Sequence, residues 1–323
     1  MPHMANTQTN DFSKGSVAGN ILRLALPMTV AQLINVLYSV VDRMYIGRLP
    51  DAAGNALTGL GLTFPILSIV TAFANLFGMG GSPLFSIQRG KGDRDRAQVI
   101  LGNTFALLVG TGVALTVVLL VLKRPLLYAF GASDATYPYA DGYLTIYLLG
   151  SVFVMISLGM NQFINAQGFG RTGMLTVLIG AVTNILLDPV FIFVLGMGVQ
   201  GAALATILSQ FLSAVWAVSF LRGKKALIRL EWGSMRLQPK LVWQIVSLGF
   251  SSFVMAITNS IVQVACNSTL QSFGGDLYVG VMTIINSVRE VVSTPINGVT
   301  SAAQPVMGFN YGAQEYRRVR SGI

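Results

Sequence analysis

The sequence predicts an all-α, polytopic membrane protein, and three observations predict it. Hydrophobic residues form 53% of the chain and charged residues only 10%, with a mean hydropathy of +0.65. A soluble domain carries about 25% charged residues, so this chain has too few to cover a water-facing surface. The apolar residues gather into eight runs, each long enough for the ~20 residues that a membrane helix needs. The basic residues are biased between connections in a way that orients those runs.

The expected spans lie near residues 21–42, 56–85, 99–122, 140–163, 173–195, 201–221, 241–267 and 277–306, separated by connections such as "GRLPDAAGN" and "LRGKKALIRLEWGSMRLQPK". The leader, residues 1–20, has no apolar centre of its own and does not read as a cleaved signal peptide; span 1 serves as the insertion signal. With the leader placed in the cytoplasm, sixteen Lys and Arg residues fall inside and four outside: Arg43, Arg48, Lys123 and Arg124. Arg289 falls within a span. The bias predicts a multi-pass protein of the cell (plasma) membrane with both termini cytoplasmic. The net charge of +9 then belongs to loops facing anionic lipid. No segment combines basic residues with stacking aromatics on one surface, so no nucleic-acid partner is expected. The expected partners are the bilayer and small drug-like molecules, with the chain as a monomer.

One cysteine, Cys266, excludes an internal disulfide, and one histidine, His3, excludes a histidine-based zinc or catalytic centre. No cofactor is expected beyond a coupling ion.

The chain repeats itself. "GGSPLFSIQRGKGDRDR" (80–96) and "AAQPVMGFNYGAQEYRR" (302–318) share Pro83/Pro305, Gly90/Gly312 and Arg96/Arg318 at a constant offset of 222 residues. The same offset pairs Asn75 with Asn297, span 1 with span 7 and span 2 with span 8. Both units end on the cytoplasmic side, so the repeat is parallel, about an axis along the membrane normal. It predicts a six-helix lobe at 21–221, a basic cytoplasmic inter-lobe loop at 222–240, and the first two helices of a second lobe at 241–323. Four further helices are expected from elsewhere or lost by truncation.

The acids singled out as intramembrane candidates are Asp42, Asp188 and Glu290. A carboxylate in lipid is costly unless neutralised, paired or hydrated, so each is a functional candidate. In span 1, Gln32, Asn35, Tyr38 or Ser39, and Asp42 share one helical face, which reads as cavity lining or as a polar seam ending at the outer interface. Pro27 in the same span is expected to bend it. Asn184 and Asp188 in span 5 share a face. Asp188-Pro189 reads either as a cap after a helix break or as a carboxylate on a wet cavity, able to exchange a proton. It can alternatively bind Na⁺ with Asn184 and a hydroxyl such as Thr206 of span 6. Asn259, Gln263 and Asn267 give span 7 a neutral polar face that could line the same cavity. Arg289 and Glu290 read as a structural polar pair with neighbouring helices.

"LALPMTVAQLINVLYSVVDRMYIGRL", "NILLDPVFIFVLGMGVQGAALATILSQ" and "QPVMGFNYGA" together resemble the multidrug and toxin extrusion (MATE) family of secondary transporters. The resemblance implies two six-helix lobes around a central cavity, of which this chain holds a complete first lobe and part of the second. It implies export of cationic or amphipathic compounds in exchange for H⁺ or Na⁺ by alternating access. It assigns Asp42, Asn184, Asp188 and Thr206 to a cation-coupling site, Asn35 and Tyr38 to the drug cavity, and Pro27 to a hinge. Some branches place a coupling glutamate in span 7; this sequence has none there, which favours coupling in the first lobe. A lipid-linked oligosaccharide flippase of the same superfamily is the alternative, and an intramembrane hydrolase is a more remote one.

Overall fold

The computed structural model describes residues 11–48 and 53–323, apart from the side chains of residues 43 and 53–55 and of a subset of positions between 263 and 291. It is helical throughout. The order is α1 (Val17–Ile46), α2 (Ala53–Lys91), α3 (Arg94–Ala129), α4 (Tyr137–Leu149), α5 (Ser151–Ala166), α6 (Gly170–Pro189), a π-helical turn (Val190–Val194), α7 (Gly198–Arg222), a 3-10 turn (Trp232–Met235), α8 (Pro239–Gly312) and α9 (Tyr316–Arg320). Among the described residues six helices are long and apolar enough to cross a membrane, and the bent pair α4–α5 makes a seventh.

Local chemistry sets the element ends. Gly92, at φ +78°, turns the chain after α2. Asp93 then caps α3 by accepting from the Arg96 amide at 3.0 Å. Pro239 opens α8 from its first position, where a missing N–H costs nothing.

Span 4, expected as one helix over 140–163, is broken at Gly150 and bent by 55° between α4 and α5. A break inside a membrane frees carbonyls that must find partners within the protein. The Thr116 hydroxyl of α3 lies 2.9 Å from the Leu148 carbonyl and 2.9 Å from the Ser151 hydroxyl, so α3 supplies that partner. Gly150 also lets α7 approach, since a Cβ there would strike Ile207.

The two expected spans 7 and 8 are helical without interruption across α8, a difference from the expected break. The axis nevertheless reverses. A Cβ on Gly249 would meet the Leu76 carbonyl, and one on Gly312 would meet the Ile87 carbonyl. Those two points on α2 are about 16 Å apart at 1.5 Å per residue, whereas straight helix from Gly249 to Gly312 would cover about 95 Å. The chain therefore doubles back within α8, giving a first arm antiparallel to α2 and a second arm parallel to it.

The internal repeat appears in this packing. A Cβ on Gly90 would strike the Phe309 carbonyl, and the Gly312–Ile87 contact is the same contact with the repeats exchanged. Ser86 and Gly308, themselves repeat mates, face each other across the seam, where a Cβ on Gly308 would lie 3.1 Å from Ser86 Cβ. The second ends of α2 and α8 thus pair about a local two-fold axis. One apolar core joins α2, α3, α4, α5 and α7 with Ile46 of α1, Ile192 of the π turn and Leu241 and Ile245 of α8, and a second joins Phe12, Val17, Leu24 and Met28 to Ala302 and Val306 of α8.

The segment from Gly223 to Gln238 is fastened by two fully buried amides. Gln167 Oε1 accepts from the Leu227 and Ile228 amides at 2.8 and 3.0 Å, and its Nε2 donates to the Ile228 carbonyl at 3.1 Å. Asn103 Nδ2 donates to the Ser234 and Arg236 carbonyls at 3.1 and 3.0 Å, while its Oδ1 accepts from the Gln238 amide at 2.8 Å. Arg222 covers the Trp232 ring at 4.9 Å.

Candidate functional site

A cavity of about 330 Å³ opens among α1, α2, α4, α5 and α7. Its polar lining is Asn35, Tyr38, Ser39 and Asp42 from α1, Thr71 from α2, Tyr143 and Tyr147 from α4, and Thr206 and Gln210 from α7. No Lys or Arg lines it among the described residues.

Asp188 sits behind this lining, fully buried, with Asn184 one turn earlier and almost as buried. The i, i+4 spacing on α6 puts both on one face. Asn184 Nδ2 donates to Asp188 Oδ1 at 3.2 Å and to Thr206 Oγ1 at 3.4 Å, tying α6 to α7. The Asp42 carboxyl lies close enough to that of Asp188 for their charges to interact. Tyr143 reaches Thr206 from the other side. Two carboxyls this close need a proton between them or a cation beside them. Asp188 Oδ2 and Asn184 Oδ1 are buried without a hydrogen-bond partner, two oxygens that suit a hard cation or an exchanging proton.

Local backbone chemistry explains how Asp188 is presented. Helix α6 continues through Pro189 into the π turn Val190–Val194, so Asp188 ends a helix and does not cap a new one. The π turn widens the helix just past the acid, a geometry frequent at functional sites.

The other expected residues separate into groups. Asn35 and Ser39 also line a second, smaller cavity of about 250 Å³ between α1 and α8, together with Gln32, Thr294 and Asn297. Pro27 lies inside α1 without ending it and packs near Gly170 of α6. Asn259 is exposed, beside the apolar cleft lined by Ile257, Ser260 and Ile261. Arg289 is exposed, while Gln263, Asn267 and Glu290 have side chains outside the described residues. Tyr143, Tyr147 and Gln210 went unnoticed in the sequence. Their signal was present: Tyr143 and Tyr147 are one turn apart, and Gln210 is one turn past Thr206.

A model of the MatE family matches residues 27–190 and 251–322. The chain belongs to the MATE family. It is a secondary transporter by class, not an enzyme, with the all-α multi-pass membrane fold of that family. The multidrug export protein MepA of Staphylococcus saprophyticus is 25% identical over 318 residues, covering 97% of this chain and 69% of that one. An outward-facing multidrug resistance MATE transporter of the MOP superfamily superposes with a TM-score of 0.90 at 26% identity, covering 98% of this chain and 70% of its own. A MOP superfamily transporter from Pyrococcus furiosus, described as having a binding pocket of reversed polarity that suggests a different function, also superposes at 0.90 with 26% identity, covering 98% and 70%. This MATE chain therefore spans about 70% of the length of these relatives.

Proposed function

We propose that this chain carries the ion-coupling half of an exporter that exchanges H⁺ or Na⁺ for cationic or amphipathic compounds. The observation that carries the reading is the Asp188 carboxyl: fully buried, held on one oxygen by Asn184, facing Asp42, and with its second oxygen unpartnered. An ion arriving from outside satisfies that oxygen and removes the repulsion between the two carboxyls. Asp42 is on α1 and Asp188 on α6, so loading the site draws α1 toward α6 and reshapes the cavity that α1 lines together with α2, α4, α5 and α7. Bound substrate is then expelled outward. The coupling requires that the ion bind the reshaped state more tightly than the open one. Thr206 and Asn184 position the acid, Tyr38 and Asn35 contact the cargo, and Pro27 gives α1 its freedom to bend.

Both termini and the inter-lobe segment are placed in the cytoplasm, following the distribution of basic residues. An uncharged-to-acidic cavity favours cations over the pyrophosphate of a lipid-linked sugar, which would call for basic lining. Asp188→Asn in the complete protein should abolish drug efflux at unchanged expression, and undiminished efflux would refute the coupling role. Repeating the assay under an imposed pH gradient and then an imposed Na⁺ gradient separates the two ions.

A further inference from the structure

The ends of α1, α2, α5 and α8 on the leader side meet in a knot of buried groups far from the carboxylate site. Phe12 is at its centre, fully buried although it precedes α1. Its ring meets Phe309 of α8 edge-on, centroids 5.7 Å apart. The Arg89 guanidinium of α2 lies 5.0 Å from both ring centroids and donates to the Ala166 carbonyl of α5 at 2.8 Å. The Phe12 carbonyl accepts from Arg318 Nη2 at 2.9 Å, Asn310 Nδ2 at 3.3 Å and Asn20 Nδ2 at 3.4 Å. Arg318 further donates to Asn310 Oδ1 and to the Gly15 carbonyl, each at 2.9 Å.

One leader residue therefore grips the first lobe through its ring and the second lobe through both ring and carbonyl. A leader needed only for insertion has no reason to bury an aromatic between two lobes. A chain end wandering in water would pay ordering entropy for it without return. The grip closes over the place where the glycine seam brings α2 and the second arm of α8 into backbone contact, and those two elements must part there if the cavity is to open on that side.

We propose that Phe12 is a bolt: the leader segment 11–16 holds the two lobes together at their cytoplasmic ends and must withdraw for the inward-open state to form. The bolt itself follows from contacts within the chain; only its cytoplasmic placement rests on the orientation proposed above.

A reporter thiol tests it in the chain as it stands. Cys266→Ser removes the native thiol, and Ser86→Cys places a new one at the seam, where Ser86 is fully buried. Membrane-impermeant maleimide is applied to inside-out and right-side-out vesicles. Adding Phe12→Ala should raise the labelling rate about tenfold in inside-out vesicles, because truncating a buried aromatic removes a large part of the closing contact. Phe12→Leu keeps an apolar plug and hence the fold, but loses the ring contacts to Arg89 and Phe309; about a threefold rise is expected. Equal labelling of the parent and Phe12→Leu, with Phe12→Ala equal or unfolded, would overturn the bolt. A rise seen only in right-side-out vesicles would support the bolt and refute the orientation.

Discussion

Replacing Gln167 with Ala isolates the question of whether the inter-lobe segment is a free tether or part of the first lobe. The side chain makes three hydrogen bonds to the backbone of Leu227 and Ile228, at 2.8, 3.0 and 3.1 Å, and is itself fully buried. Each such bond contributes about 1 kcal/mol net when the freed groups can return to water, so the variant loses about 3 kcal/mol of local attachment. At ~1.4 kcal/mol per decade this shifts the local opening equilibrium about 100-fold. Amide hydrogen exchange at Leu227 and Ile228 reads that equilibrium directly. Both amides should exchange about 100-fold faster. The Gln238 amide, held by Asn103 at 2.8 Å, should keep its protection. An acceleration below about threefold at Leu227 and Ile228 would refute the attachment. Equal acceleration throughout α7 and α8 would show that the glutamine acts on global stability instead.

Three further outcomes are expected. Gly90→Ala and Gly312→Ala each push a methyl into an opposing carbonyl, and each should cost about 1–3 kcal/mol, read as matched drops in melting temperature in detergent. A loss confined to one of them would contradict the two-fold seam. Lys123 bridges Asp141 at 2.8 Å in a partly exposed position, so Lys123→Met should cost no more than about 1 kcal/mol by the same measurement. Burial raises the Asp11 carboxyl, but hydrogen bonds from the Ser13 side chain and amide and the charges of Lys14 and Arg89 outweigh it, leaving its pKa below the ordinary 3.8. A lowered folded value stabilises above the unfolded pKa and is lost as pH falls below it. Melting temperature should therefore show no Asp11 contribution to change between about pH 5 and pH 8, and Asp11→Asn should lessen the loss on the acid side.

The spans were legible because lipid imposes one rule on every one of them, a long apolar run, and because the positions of Asn184 and Asp188 follow from helical periodicity alone. The repeat was legible from three identities at one offset, and its glycines are the residues that let the two backbones approach across the seam. The break at Gly150 was not legible, since a glycine in an apolar run is ordinary in membrane helices and the compensating Thr116 lies on another helix. Tyr143 and Tyr147 lay unremarked in the apolar run of span 4, and the fold brings both to the cavity that Thr206 also lines. The docking of the leader and of the inter-lobe segment was hidden for a related reason. Asn103 and Gln167 recognise backbone, Phe12 is itself held by its backbone carbonyl, and backbone leaves no mark in composition.

The glycine seam has a bearing on how such a chain arises. A surface that meets its own copy about a two-fold axis is the kind a single six-helix ancestor can use to pair with itself, and one substitution then acts on both sides at once. Joining two such units in one chain frees each side to diverge. That divergence is visible one residue from the seam, where Arg89 in the first unit corresponds to Tyr311 in the second. The first holds a leader and the second does not. A symmetric joint has thereby acquired a handed one.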